Sequence, residues 1–285
     1  VVSGIEREVA LTAATVTSVP VQNVKILSNE GRKVGYLQFN DHIGTAELQL
    51  KTAFEQLRAA QPTELVVDLR YNGGGLQSVA SQLAYMVAGA QATRDKVFMN
   101  DRFNNKHPDF DPVSGVPLAP WAFLSTAIGL SAPNGQPLPS LDLRRVYVLT
   151  GPDTCSASEV FINSLRGIDI DVVQIGGTTC GKPYGFYPQD NCGTTYFSVQ
   201  FQSENAKGFG DFQDGLAPTC AMPDDFGHAL GDPQEIRLAA ALAHQVTGVC
   251  PALPGGRLAK STATGPAAPL LRKPEGLRNL ILRPR

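Results

Sequence analysis

An α/β architecture assembled from βαβ units follows from three stretches of this 285-residue chain. Residues 143–150 are an apolar, β-branched run behind two arginines. Residues 159–166 set Val160, Ile162 and Leu165 among polar neighbours, and 170–175 are again apolar and β-branched. Short β-branched runs read as strands and a 3.6-residue recurrence reads as a helix. Strand, helix and strand in that order make a right-handed crossover between parallel strands. The strand-then-helix alternation recurs at 34–60 and at 64–88, the pattern of a sheet carrying helices on its faces.

From the N-terminus, Val9-Ala-Leu-Thr and Thr15-Val-Thr are short β-rich pieces ended by Pro20. Residues 34–40 (VGYLQFN) form a strand. Thr45 suits the N-cap of a helix over 46–60, in which Leu48, Leu50, Ala53, Phe54 and Leu57 recur at helical spacing. Residues 65–69 are a further strand, and Asn72-Gly73-Gly74-Gly75 turns from it into a helix over 77–88. Residues 100–140 are rich in Pro, Asn, Gly and Asp and hold the single tryptophan, Trp121. So long a loop is a functional insertion or a peripheral one, and 120–129 predicts a short amphipathic helix over the cleft. Gly167 is the expected stop of the helix over 159–166, and Gly176-Gly177 closes the strand after it. Residues 194–202 (TTYFSVQFQ) alternate as a strand. Asp232-Pro-Gln-Glu235 supplies an Asp N-cap, Pro at N1 and Glu at N3 for a helix over 233–247 ended by Gly248. Residues 251–269 read as a linker and 270–285 as a basic, apolar tail.

A hydrophobic content of 42% supports a well-buried core. With 18% charged residues and a formal net charge of −2, no nucleic-acid partner is expected. The charge is uneven: seven Lys/Arg against one Glu after residue 250 give that segment +6 and leave −8 on the rest. No apolar run reaches membrane-spanning length. The five cysteines form no C-x-x-C pair and the four histidines show no ligand spacing, so a zinc site is not expected, and the serine-lysine chemistry described below needs no metal or organic cofactor. Cys180 and Cys192 flank a Gly/Pro-rich turn, and Cys220 and Cys250 flank the last helix. The simplest pairing is Cys180–Cys192 and Cys220–Cys250 with Cys155 free; the alternative is five reduced thiols in a cytosolic protein. The paired reading predicts an extracytoplasmic compartment, periplasmic or cell-envelope.

The chemistry concentrates at one sheet edge. Ser156 opens the helix after the first strand of the 143–175 unit, and Lys182 lies just past the second, so both return to the C-terminal edge where open α/β sheets bind ligands. Serine needs a base to act as a nucleophile. Lysine can be that base when desolvation keeps it neutral, and the neighbours Cys180, Gly181, Pro183, Tyr184, Gly185 and Phe186 carry no charge. The Ala157 N–H, at the positive end of the helix, and the bare backbone of the 72–75 turn are candidate oxyanion donors. Ser156-Ala-Ser-Glu159 equally satisfies the capping box S-x-x-E, in which the serine only caps. Cys155 is a more nucleophilic neighbour read as packing. His42 is a possible auxiliary base or an exposed loop residue. Asp68 and Arg70 read first as a structural ion pair. The glycine turn lacks P-loop and G-x-G-x-x-G spacing.

The stretches VVDLRYNGGG, TCSASE and GGTTCGK, with FGDFQDGLAPTC downstream, resemble in that order the carboxyl-terminal processing (tail-specific) serine peptidases. The likeness covers roughly residues 35–246. It implies a Clp/crotonase-like α/β core over 31–250, preceded at 1–30 by the exit strand and linker of a PDZ-like domain, with 251–285 as linker and tail. It further implies Ser156 as nucleophile and Lys182 as general base. Ala157 and Gly74 would be the oxyanion donors, with Gly75 the alternative to Gly74. Substrates would be polypeptides cleaved near C-termini or in unfolded segments. Family members place a glutamine one helical turn after the lysine; here that position is Phe186, and Tyr184 and Gln189 are the candidates for the orienting role. The rival readings are a catalytically inactive peptide-binding scaffold of the same fold and, more weakly, a crotonase-type acyl-CoA enzyme.

Overall fold

The computed structural model describes residue 10 and residues 12–252. The expected tail, most of the linker before it, and Val9 and Leu11 of the first β-rich piece lie outside the described residues. Thr15-Val-Thr is exposed and forms no strand.

The order of elements is β1 (Val21–Asn29), β2 (Arg32–Phe39), α1 (Ala46–Ala60), β3 (Glu64–Asp68), α2 (Gln77–Thr93), β4 (Val97–Arg102) and β5 (Trp121–Ala122). There follow β6 (Arg145–Thr150), α3 (Ala157–Gly167), β7 (Asp171–Gly176), β8 (Tyr184–Gly185), β9 (Gln189–Asn191), β10 (Thr194–Tyr196), β11 (Phe201–Glu204), β12 (Cys220–Ala221) and α4 (Ile236–Thr247). The main sheet runs β1-β2-β3-β6-β7-β12, parallel from β2 to β12 with β1 antiparallel at the edge. Thus β1, inside the stretch read as exit strand and linker, is an integral edge strand. A smaller antiparallel sheet, β5-β4-β11-β8, and the β9–β10 hairpin lie beyond it.

Strand alternation divides the apolar side chains between two cores. Leu37, Leu65, Val67, Val146, Val148 and Val172 face one side with Leu50, Phe54 and Leu57 of α1, Leu83 and Val87 of α2, and Phe161 and Leu165 of α3. Val34, Tyr36, Val66, Tyr147, Val173 and Ile175 face the other with Leu238 and Leu242 of α4. Three helices from parallel crossovers on one face is what right-handed connections require. Among the described residues no helix is long and apolar enough to cross a membrane.

Several local expectations change under tertiary contacts. Thr45 does not cap α1: its backbone is already helical, its hydroxyl is buried without a partner, and a cap needs extended backbone to swing its side chain back. α2 is interrupted by Gly89 at φ 78°, where a Cβ would overlap Asp142. The 120–129 stretch is not a helix. Trp121–Ala122 pairs with β4, and the following turns hang on the buried Glu47 carboxyl, which accepts the N–H groups of Ile128, Ser131 and Ala132 and the Gln82 amide. Residues 194–202 split into β10 and the start of β11 rather than one strand. α4 starts at Ile236, not Pro233, because Glu235 is the cap: its side chain accepts from the N–H groups of Arg237 and Leu238.

That carboxylate is also bidentate to Arg70, with both N···O distances 2.9 Å, and Arg70 Nε donates to Asp68 at 3.0 Å. Tyr36 donates its hydroxyl to the second Asp68 oxygen at 2.8 Å. Asp68 and Arg70 are therefore structural, as expected, and the group clamps the end of β3 to the start of α4. Because the cluster is fully buried, deleting one partner strands the others' charges. Arg70→Ala should cost about 3–5 kcal/mol in urea unfolding, whereas Arg145→Ala, which breaks the exposed pair with Asp171, should cost less than about 1 kcal/mol. Equal losses would show that the buried cluster does not hold the fold.

Candidate active site

The parallel strands β3, β6 and β7 end at one edge, and each releases one part of the site there. After β3 the chain turns through 69–75; after β6 it reaches Ser156; after β7 it reaches Lys182. Short bonds stitch the three segments together. Thr154 donates its hydroxyl to the Leu69 carbonyl at 2.8 Å, and the Asn72 carbonyl accepts from the Cys155 N–H and the Ser158 hydroxyl, each at 3.0 Å. Cys180 donates its N–H to the Thr154 carbonyl at 3.0 Å.

Ser156 sits at φ 56°, ψ −117°, a sparsely populated conformation for a residue with a side chain, immediately before α3. It heads the capping box of α3. In that box the buried Glu159 side chain accepts the Ser156 N–H at 2.8 Å on Oε2. The same Oε2 accepts the Lys182 N–H at 2.8 Å, while Oε1 accepts the Gly181 N–H at 2.8 Å and the Thr179 hydroxyl at 2.6 Å. One carboxyl group therefore holds the backbone of both Ser156 and Lys182. In the sequence Glu159 stands out only as the last letter of the capping signature and of TCSASE, and Thr179 only as a letter of GGTTCGK, with no role marked for either beyond capping.

Cys155 and Cys180 are joined by a disulfide, with Cα atoms 5.2 Å apart, which corrects the Cys180–Cys192 pairing and the free Cys155. Nearness along the chain misleads here. The chain beyond Lys182 leaves through β8 and carries Cys192 to the β9–β10 turn, where it is free and exposed. The parallel exits of β6 and β7 bring Cys155 and Cys180 together instead. Cys220–Cys250 forms as expected. The donor atoms of Cys155, Glu159 and Cys180 are close enough to share an ion, but the two thiols are bonded to each other and the Glu159 oxygens are already occupied by donors.

Lys182 is half-buried. Burial lowers its pKa, Glu159 acts in the opposite sense, and the net direction is down. No hydrogen bond joins its amine to the Ser156 hydroxyl; the amine lies over the Phe186 ring, 4.7 Å from the centroid. Tyr184 pairs with Gln202 in the smaller sheet and Gln189 with Tyr196 in the exposed hairpin.

Gly74 is pressed against the nucleophile segment: a Cβ there would stand 2.7 Å from Ser156 Cβ and 2.8 Å from the Ala157 nitrogen, at φ +93°. Its N–H already donates to Asn72 Oδ1 at 3.0 Å. The N–H groups of Ala157 and Gly75 take no protein acceptor among the described residues. His42 is not an exposed loop residue. It is fully buried, its Nδ1 pairs with the same Asn72 Oδ1 at 2.9 Å, and its Nε2 has no partner among the described residues. Burial pushes its pKa down to about 4, partly offset by the Asn72 bond, so it is a neutral brace under the glycine turn.

Two measurements test this geometry. Gly74→Ala should lower stability by about 1–3 kcal/mol, since strain and contact coincide, while Gly73→Ala, with open space around it, should cost less than about 1 kcal/mol. The His42 pKa is lower folded than unfolded, so stability is full above the unfolded value near 6.5 and is lost as pH falls from there to about 4. The expected loss is about 3 kcal/mol at most, and His42→Gln should remove this part of the pH dependence of urea unfolding. An unchanged profile in that variant would place the titration elsewhere.

Comparison with known proteins follows the same outline. A carboxyl-terminal-processing protease from a Picosynechococcus species is 27% identical over 176 residues, 62% of this chain but only 35% of that relative. A solved structure assigned to the S41 proteases, from Bacteroides fragilis, superposes with a TM-score of 0.70 at 27% identity, covering 84% of this chain and 60% of that one. The photosystem II D1 C-terminal processing protease superposes at 0.51 with 20% identity over 73% of this chain and 49% of its own, a likeness of fold alone. This chain thus spans less than two thirds of each of these relatives. The model of peptidase family S41 matches residues 33–190, and the chain belongs to that family.

Proposed function

We propose that the chain is the catalytic core of a serine endopeptidase working through a Ser156–Lys182 dyad and an acyl-enzyme. The observation that carries this reading is the single Glu159 oxygen that accepts the N–H groups of both residues. Neutral Lys182 removes the Ser156 hydroxyl proton as Oγ attacks the scissile carbonyl carbon. The Ala157 N–H holds the oxyanion at the positive end of α3. Gly75 is favoured over Gly74 as the second donor because the Gly74 N–H is already engaged. The lysine ammonium then protonates the leaving amine, and the returned base activates the water that hydrolyses the ester. The contact between Ser156 Oγ and Lys182 Nζ closes when substrate binds, as catalytic hydrogen bonds often do.

Substrates in this reading are polypeptides cleaved near C-termini, as the name of the Picosynechococcus relative suggests, or in unfolded segments. In this reading the core is Clp/crotonase-like, and residues 1–30 are the exit strand and linker of a PDZ-like domain. Two disulfides favour an extracytoplasmic setting, periplasmic or cell-envelope. The alternative, an inactive peptide-binding scaffold, draws on the missing Ser–Lys hydrogen bond. Cleavage of an unfolded protein and labelling by a fluorophosphonate decide between them. Ser156→Ala and Lys182→Ala should each lose about 10³-fold or more in kcat/KM with unfolding midpoints unchanged. Wild type that binds peptide but neither cleaves nor labels is the scaffold. Cleavage that survives Ser156→Ala removes the nucleophile assignment.

A further inference from the structure

The Lys182 amine has no hydrogen-bond or ion-pair partner among the described residues, and the group against it is the face of Phe186. That ring is held from several sides. Gly185, just before it, accepts the Gln200 N–H at 3.0 Å, and Tyr187, just after it, donates its N–H to the Gln200 side chain at 2.8 Å. The Phe201 ring fills the space a side chain at Gly185 would need, and Phe197 meets Phe186 edge-on with centroids 5.4 Å apart at 77°. Phe186 is thus a fixed surface beneath the amine.

A ring face attracts an ammonium more strongly than a neutral amine. A lysine base starts neutral and becomes an ammonium as the Ser156 O–H bond breaks, an N–H bond forms on Nζ, and the electron pair left on Oγ bonds to the carbonyl carbon. Support from the ring therefore grows along the step, which is the form of binding that accelerates it. We propose that Phe186 is the positioning residue of Lys182: its ring face fixes the amine and supports the ammonium formed when Ser156 is deprotonated. The inference rests on the dyad reading above. The charged group acting on the amine is Glu159 of α3, while the chain after β8 brings the aromatic rings of Phe186 and Phe197.

The test titrates the Lys182 amine directly, by carbon-13 NMR of reductively methylated protein, in wild type, Phe186→Leu, Phe186→Tyr and Phe186→Gln; Lys182→Arg identifies the resonance. Acylation by a fluorophosphonate is followed against pH in the same proteins without methylation. Phe186→Leu keeps the site apolar but removes the ring, so the amine should titrate about half to one and a half pH units lower. Acylation should slow by about 3- to 30-fold, with its pH midpoint moving the same way. Phe186→Tyr should match wild type, and Phe186→Gln, which offers the amine a carbonyl acceptor, should recover part of the rate. An amine that titrates alike in wild type and Phe186→Leu overturns the proposal, as does a slower Phe186→Leu whose midpoint has not moved. Acylation that survives Lys182→Ala would instead sink the dyad reading, while the NMR titration still reports on Phe186.

Discussion

Glu159 is a carboxyl group with no exposure to solvent, four residues' worth of donors around it and no cation in contact with either oxygen. Such a group is expensive to bury unless its lone pairs are met. Here they are met only if the chain leaving β7 folds back across the start of α3, because the donors come from Ser156 on one side and from Thr179, Gly181 and Lys182 on the other. Satisfying the carboxyl group and bringing the two candidate catalytic residues together are therefore one structural event. Thr179 extends the grip, since its hydroxyl also accepts the Leu216 N–H at 2.7 Å. The Cys155–Cys180 disulfide adds a covalent tie between the same two segments.

The glycine turn is held separately, from beneath. Asp68, Arg70 and Glu235 join the end of β3 to the start of α4 on the opposite face of the sheet from α1, α2 and α3. His42 and the Gly74 N–H converge on Asn72 Oδ1, and the Asn72 amide donates to the Phe39 carbonyl at 3.0 Å. A polar network with this many shared partners stiffens what it contains. The strained backbone of Ser156 persists because its N–H is bonded to Glu159 and its carbonyl accepts the Glu159 and Val160 N–H groups at 2.8 and 2.9 Å. The proposed nucleophile is thus set on a scaffold that fixes its backbone on both sides.

Much of the architecture was readable residue by residue. The strands ending at Asp68, Thr150 and Gly176 and the helix over Ser156-Ala-Ser-Glu159 follow from local apolar periodicity, and one general handedness puts the three strand exits at a common edge. Those two rules were enough to bring the 72–75 turn, Ser156 and Lys182 to the same place. The stops at Gly167 and Gly248 and the pairing of Asp68 with Arg70, two residues apart, were within reach for the same reason: each depends on a few neighbouring residues.

What failed was whatever depends on a partner far along the chain. Thr45 and Asp232 have the composition of caps, yet buried carboxyl groups elsewhere organise those regions: Glu47 holds the turns after β5, and Glu235 takes over the cap of α4 because Arg70 fixes it. The 120–129 stretch has an amphipathic spacing, but its backbone donors go to Glu47. Cys180 has Cys192 twelve residues away along a flexible-looking turn, yet it bonds to Cys155. The sequence alone determined the order of elements and the edge at which the chemistry collects, because periodicity and chain handedness are local properties. Only the tertiary structure decided which cysteines pair and which carboxyl group binds Ser156 to Lys182, because each is a contact between strand exits that no spacing along the chain encodes.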